Sequence, residues 1–278
     1  MEQKKILVTG GLGFIGSHMV VCLHEAGYTP VIVDNLHNSR IDVLSAIAQL
    51  IGFIPEFIHG DVNDKSLMTE IFAIHNPDAV IHFAAHKAVG ESVDQPLMYY
   101  NNNVVGLVSL LEVMQQADCK KLVFSSSCTV YGEPEQVPVK ESTPTRPAAS
   151  PYGATKQMGE VILKDNKWFE VQCLRYFNPV GAHESSLLGE LPLGVSNNLI
   201  PYLTQTVAGI RPQLTVHGGD YNTPDGTCIR DYIHVMDLAD AHVAAIGRLF
   251  SNAMEHKVEI GDPSLGNFEV FNIGTGHG

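Results

Sequence analysis

The sequence predicts an α/β protein, a doubly wound parallel sheet with a smaller, irregular C-terminal part. Three observations predict it. Short, unbroken apolar runs recur through the first half of the chain, as expected of strands covered on both faces. Stretches with helical spacing of apolar residues lie between them. A glycine cluster stands where the first run passes into the first helical stretch. Regular alternation of strand and helix places helices on both sides of a parallel sheet.

Each element follows in order. Ile6-Leu7-Val8 reads as the first strand, and the helix after it runs from Gly13 to about Ala26 with Ile15, Met19, Val20 and Leu23 on one side. Val31-Ile32-Val33 is the second strand. Phe57-Ile58, leading to Gly60-Asp61, is the third, Val80-Ile81-His82-Phe83 the fourth and Leu122-Val123-Phe124 the fifth. Helical patterns fill about residues 41–50, 65–74 and 97–116. After Asn178 the regularity fades: Pro179, Pro192, Pro201, Pro212 and Pro224 accompany glycine-rich turns, with one helix at about residues 199–207. Helix returns at about residues 237–249, and Val270-Phe271-Asn272-Ile273 reads as a further sheet strand. The expected division puts residues 1–177, with 233–252 and 269–273 returning to them, in the sheet domain. Residues 178–232 and 253–268 would form a smaller substrate wall. Gly261-Asp262-Pro263-Ser264-Leu265-Gly266 reads as a small loop insertion without chemistry.

Composition narrows the function. The chain has 278 residues, 45% apolar and 17% charged, which fits a well-buried globular protein. A net charge of −13 argues against nucleic acid, which needs a basic face, but not against a small phosphorylated ligand held by a few local donors. No stretch has the apolar length of a membrane span, and Met1-Glu2-Gln3-Lys4-Lys5 runs into a strand without an export signal. Cys22, Cys119, Cys128, Cys173 and Cys228 show no paired spacing and read as free thiols of a reducing, cytoplasmic setting. The 13 histidines include no His-Glu-x-x-His arrangement, so no metal is expected.

Thr9-Gly10-Gly11-Leu12-Gly13-Phe14-Ile15-Gly16 lies at a strand-to-helix turn. Gly10 suits the tight turn, Gly13 lets backbone approach a pyrophosphate, and Gly16 lets helix pack on strand. The helix N-terminus adds open N–H groups and a positive dipole end. Glycines alone mark many turns, but Asp34 closes the next strand, about 20 residues on, where a carboxylate accepts from ribose hydroxyls and repels a 2′-phosphate. The set predicts a Rossmann-type domain that binds NAD in preference to NADP. Its Gly-x-x-Gly-x-x-Gly spacing resembles that of the short-chain dehydrogenases/reductases.

Ser150-Pro151-Tyr152-Gly153-Ala154-Thr155-Lys156 reads as a helix start, with Ser150 as N-cap and Pro151 in the first turn. Tyr152 and Lys156 share a helix face. A free phenol titrates near pH 10, and an adjacent ammonium with a helix N-terminus is expected to lower it toward the working range of a base. Tyr-x-x-x-Lys occurs by chance in many helices. Here it follows Ser125-Ser126-Ser127, which end the fifth strand at the sheet edge where such folds bind ligands.

With these residues the chain resembles the extended short-chain dehydrogenases/reductases, and among them most closely the UDP-glucose 4-epimerase family. The likeness covers nearly the whole chain. It rests on the glycine turn, His82-Phe83-Ala84-Ala85-His86-Lys87-Ala88-Val89-Gly90-Glu91-Ser92 and Ser125-Ser126-Ser127-Cys128-Thr129-Val130-Tyr131-Gly132. More specific to the epimerases are Arg175-Tyr176-Phe177-Asn178-Pro179-Val180-Gly181-Ala182, Asn197-Asn198-Leu199 and Arg230-Asp231-Tyr232-Ile233-His234-Val235. The resemblance implies that Tyr152 takes the proton of the sugar 4-hydroxyl, that Lys156 holds the nicotinamide ribose and tunes Tyr152, and that Ser127 relays the proton. NAD would be a resident cofactor regenerated each cycle. Besides Gly10, Gly13, Gly16, Tyr152 and Lys156, its site would include Phe14, Ile15, Asp34, Asn35, Asn38, Ser39, Asp61, Val62, Phe83, Ala84, Lys87, Asn102, Ser125 and Tyr176. Phe177, Asn178, Asn198, Leu199, His217 and Arg230 would join Ser127 and Tyr152 in facing the UDP-sugar, with Arg230 on the diphosphate. The competing reading of Arg230 is a surface charge paired with Asp231. Lys87 competes with an ordinary solvated loop lysine, and Asn178 with a structural turn residue.

The family continues for several tens of residues past the equivalent of Gly278, and those residues contribute an arginine and an aspartate to the uridine diphosphate end. A chain ending at Gly278 is therefore expected to lack that C-terminal remainder, to bind NAD and to turn over poorly. A related sugar-nucleotide epimerase of the UDP-glucuronate type stays open as an alternative. A dehydratase is weakened by Cys128-Thr129, which supply no acid beside Ser127, and a non-enzymatic dinucleotide sensor would not need Tyr152 and Lys156. The stretch at about residues 97–116 and the helix after Pro151 are expected to pair with a second copy in a homodimer. Val105, Leu107, Val108 and Leu111 could equally be internal core.

Overall fold

The computed structural model describes residues 3–194, 196, 198–216, 218–251 and 267–277. The expected loop at Gly261–Gly266 and His217 lie outside them. Seven parallel strands make one sheet: β1 Lys5–Thr9, β2 Thr29–Asp34, β3 Glu56–His59, β4 Ala79–His82, β5 Lys121–Ser127, β6 Glu170–Tyr176 and β9 Phe268–Ile273. Their order is β3-β2-β1-β4-β5-β6-β9, so the chain reverses its direction of travel between β1 and β4. That switch point opens a crevice at the carboxyl ends of the strands. A two-stranded parallel pair, β7 Asn178–Val180 and β8 Tyr232–His234, lies beyond the end of β6.

Helices cover both faces. On one, α1 Phe14–Glu25, α2 Asp42–Ile51 and α9 Val235–Phe250 enclose a core with Ile6, Val8, Met19, Leu23, Ile32 and Ile246. On the other, α3 Lys65–His75, α6 Gly106–Gln116 and α7 Pro151–Asp165 pack over Leu7, Val31, Val80, Leu122 and Val171. Strict alternation along β1 sends Leu7 to one core and Ile6 and Val8 to the other, which is why the strands read as continuous apolar runs. α4 Val89–Asp94 was not foreseen, and α8 Leu199–Val207 sits where the sequence placed it.

Two expectations need correction. No strand is expected at β6, because Gln172 and Arg175 interrupt its apolar run; both are buried and bonded to Glu269 and Glu160. The single helix expected at about residues 97–116 is three pieces: α5 Pro96–Tyr99, a wide π-helical turn Tyr100–Val105, and α6. The interruption falls on Asn101-Asn102-Asn103. Asn103 is buried, with its amide accepting from the His86 N–H at 2.9 Å and donating to the His86 carbonyl at 3.0 Å. Asparagines that bond away from the helix ladder disfavour a regular helix, and such bulges recur at functional sites.

Candidate active site

The glycine turn is built by close approach. Gly10 has φ of +72°, a conformation side chains rarely adopt, and its N–H donates to the Val33 carbonyl at 2.7 Å. A Cβ there would stand 2.8 Å from the Ala84 nitrogen, and one at Gly16 only 2.3 Å from the Gly10 carbonyl oxygen. Gly13 is the N-cap of α1 with no side chain on the first amides, which leaves a cradle suited to phosphate oxygens.

Asp34, at the end of β2, is buried and ties this turn to the next loop. One carboxylate oxygen accepts from the Leu36 N–H at 2.9 Å and the Ser39 hydroxyl at 2.7 Å; the other accepts from the Leu12 N–H at 3.0 Å. A carboxylate has about four acceptor sites, so one is left for a ribose hydroxyl. Next to it, Asn35 donates to Asp61 at 2.7 Å. Burial raises the Asp61 carboxyl, but bonds from Asn63 and Asn35 outweigh it and hold the group below its ordinary range. Val62 is buried, Asn38 is exposed, and Phe14, Ile15, Phe83 and Ala84 are half-buried around the turn. The donors and the cradle fit an NAD-sized dinucleotide without a 2′-phosphate.

The reactive groups gather at the carboxyl end of β5. Ser150 caps α7 by accepting from the Gly153 N–H at 3.1 Å, with Pro151 in the first turn. Lys156, buried, donates to the Ser125 carbonyl at 2.7 Å and lies over the Tyr152 ring, 5.8 Å from its centre. Burial lowers the lysine to about 8, with Cys173 and then Glu160 opposing. The Ser127 oxygen accepts from the Thr129 N–H at 3.2 Å and hydroxyl at 3.0 Å, which leaves its own proton to donate. Burial pushes the Tyr152 phenol up to about 12, against a lowering hydrogen bond from Ser127. This corrects the sequence expectation of a lowered phenol. The ammonium is committed to Ser125 and faces the ring, so burial decides.

Tyr176 ends β6, with its hydroxyl 3.3 Å from His242 Nε2. Asn178 donates to the Asp231 carbonyl at 2.7 Å and joins β7 to the turn before β8. Asn102 donates to Asn103 at 2.9 Å. Lys87 is not free in solvent: it pairs with Glu190 at 3.3 Å, and Asn198 donates to the same carboxylate oxygen at 2.9 Å. Glu190 thus connects a residue foreseen for the cofactor with one foreseen for the sugar, and no sequence signal marked it. Phe177 is half-buried beside Gly274, and Leu199, at the start of α8, is exposed. Arg230 is exposed, with one guanidinium nitrogen on the Ile229 carbonyl at 2.8 Å, beside an open cavity of about 420 Å³. The pairing with Asp231 is not seen, because that carboxylate accepts from Thr275 and Gly276 instead. Burial raises the Cys128 thiol, against smaller lowering effects of Ser127 and of the Arg230 charge. Among the described residues no group of three or more His, Cys, Asp and Glu could hold a metal ion.

Residues 6–261 match the NAD dependent epimerase/dehydratase family. The chain belongs to that family. It is 52% identical to the UDP-glucose 4-epimerase of Yersinia pestis, across 98% of this chain and 78% of that protein. Identity to UDP-glucose 4-epimerase 2 of Arabidopsis thaliana is also 52%, across 99% and 77%. The UDP-glucose 4-epimerase of Bifidobacterium longum, solved in complex with NAD+ and UDP, superposes with a TM-score of 0.91 at 45% identity, over 99% of this chain and 79% of that one. The enzyme of Stenotrophomonas maltophila, solved with NAD and formylated UDP-arabinopyranose, gives the same score at 44% identity over the same shares. The cofactor of the family is NAD, in agreement with the free acceptor site on Asp34.

Proposed function

We propose that this protein is an isomerase that interconverts UDP-glucose and UDP-galactose with NAD as resident cofactor. The observation that carries the reading is the meeting of Ser127, Tyr152 and Lys156 at the carboxyl end of β5, beside the glycine cradle. The UDP-glucose 4-epimerase relatives support the substrate. Tyr152 takes the proton of the sugar 4-hydroxyl through Ser127 as the C4 hydrogen leaves with its electron pair, giving a 4-keto sugar. Return of hydride and proton to the other face of C4 completes the inversion. NAD, when bound, supplies the cationic hydride acceptor. Lys156 fixes the ribose side of the site and supplies positive charge beneath Tyr152.

The cofactor would lie along Gly10, Gly13, Phe14, Ile15 and Gly16, with its adenosine end near Asp34, Asn35, Asn38, Ser39, Asp61 and Val62. Phe83, Ala84, Lys87, Asn102, Ser125 and Tyr176 would complete its wall. Phe177, Asn178, Asn198, Leu199, His217 and Arg230 would hold the UDP-sugar. Arg230 is suited to the diphosphate by its exposure and its lack of an ion-pair partner among the described residues. A homodimer in the cytoplasm completes the proposal. It is supported by free cysteines and by apolar residues left outside on α6 and α7, Val108 and Val161. Among the described residues no helix is long and apolar enough to cross a membrane.

The test is incubation with UDP-galactose, without added NAD, followed by NMR. Appearance of UDP-glucose is the expected result. A stable 4-keto-6-deoxy product would replace this reading with a dehydratase, and no reaction with no bound dinucleotide would overturn it.

A further inference from the structure

Glu160 and Arg175 take no part in the chemistry above, yet they form the most enclosed ion pair among the described residues, with side chains 9% and 7% exposed. The pairing is two-pronged. Arg175 donates from Nε to Oε1 at 2.9 Å and from Nη2 to Oε2 at 2.5 Å. The remaining capacity is also used: Ser126 donates to Glu160 at 2.5 Å, Cys173 at 3.4 Å, and Arg175 reaches the Tyr131 hydroxyl at 2.9 Å. Tyr131 in turn donates to Asn272 of β9 at 2.6 Å. A buried ion pair adds little net stability over well-packed apolar residues, so stability alone is a weak reason for this one.

Its placement supplies a better reason. Tyr152, Lys156 and Glu160 are spaced at four residues along α7 and share a face. Three consecutive residues of β5 face them: Ser127 acts to lower the Tyr152 phenol, the Ser125 carbonyl accepts from the Lys156 ammonium, and the Ser126 hydroxyl donates to the Glu160 carboxylate. Arg175 closes the arrangement from β6 and braces the turn that follows Ser127 through Tyr131. Gly159 lets α7 approach this closely, since a Cβ there would lie 2.7 Å from the Phe124 ring.

We propose that Glu160, locked by Arg175, is the positioning residue of this site, keeping the Lys156 side chain a charged donor beneath Tyr152 and holding α7 in register with the three serines. The inference rests on the epimerase reading for its activity readout only. The charge on Lys156 can be followed without turnover, by the titration of its ε-carbon resonance in the whole protein with NAD bound.

Glu160→Gln removes the negative charge next along the helix from Lys156. The Lys156 midpoint and the alkaline limb of turnover are expected to move down by about one pH unit. Turnover at pH 8 is expected to fall at least tenfold, with KM and bound NAD within twofold of the parent, and Glu160→Asp to recover part of the loss. Should Glu160→Gln misfold from the unpaired Arg175, the double variant Glu160→Leu with Arg175→Met removes both charges and keeps the volume apolar. A double variant that folds with an unmoved Lys156 midpoint and the parental pH profile would overturn the proposal and leave the pair a structural tie. Absence of turnover in the parent would count against the epimerase reading, while the Lys156 titration would still decide the role of Glu160.

Discussion

At the scale of residues, burial sets the chemistry of the centre more than charge does. Tyr152 at about 12 and Lys156 at about 8 are both displaced toward their neutral forms. The phenol is therefore protonated at neutral pH. Tyr152→Phe is expected to keep NAD, seen in the spectrum of the purified protein, while losing about a hundredfold or more in turnover. Near-parental rates would refute its role as base. The same burial makes a prediction about acid. Burial lowers His82 to about 3 and His242 to about 4, so both stay neutral in the fold while their unfolded counterparts charge near pH 6.5. The unfolded chain then binds more protons, and stability must fall as pH drops from about 6.5 toward those values. Melting curves between pH 7 and pH 4 should show this slope, and His242→Gln should flatten it. An unchanged slope would place the acid sensitivity elsewhere.

At the scale of elements, α7 is a precise lever because its start is fixed from outside the helix. Ser150 satisfies the Gly153 N–H, and Thr155 donates to the Tyr152 carbonyl at 2.7 Å while accepting from Asn103 at 3.1 Å. The asparagine-rich wide turn and α7 are therefore bonded to one another, and Asn103 passes the contact on to the loop after β4. Ser150→Ala is expected to cost about 1 kcal/mol of stability in denaturant unfolding. It should also loosen the first turn that carries Tyr152, lowering kcat more than KM. A stability change below about 0.3 kcal/mol, read against typical cap losses, would show that the cap is dispensable.

At the scale of the whole molecule, the two faces of the α6–α7 layer differ. Leu107 and Leu111 are buried against the sheet, whereas Val105 and Val108 are 50% and 39% exposed, and on α7 Met158 and Val161 are 44% and 57% exposed. The apolar spacing along α6 thus serves the core on one side and leaves a separate apolar face outside. Burying about 100 Å² of such surface stabilises association by roughly 2.5 kcal/mol before the cost of association is met. Val108→Glu combined with Val161→Glu is expected to shift the protein from dimer to monomer in sedimentation velocity, with little change in the melting temperature of the monomer fold. An unshifted sedimentation coefficient would move the interface elsewhere. A net charge of −13 works against association at low salt, so a dimer formed through this face would tighten as salt rises.

By itself the sequence determined the layers, six of the seven strands of the sheet and the glycine turn, because two-sided burial and tight turns leave local patterns. The Asp34 position and the Tyr152–Lys156 spacing were legible for the same reason: each lies a fixed distance from a strand end or along a helix. Only the tertiary structure decided which partners those residues have. Glu160 and Glu190 carry no local signature, and the short segments that hold Arg175 and Asp231 do not reveal their partners, since the bonds run to residues far along the chain. The β6 strand has no apolar signature because Gln172 and Arg175 are polar, and only buried acids opposite them make their burial possible. The raised Tyr152 phenol could not be read either. Spacing places an ammonium one helical turn away, but the fold decides which group that ammonium donates to, and here it is the Ser125 carbonyl.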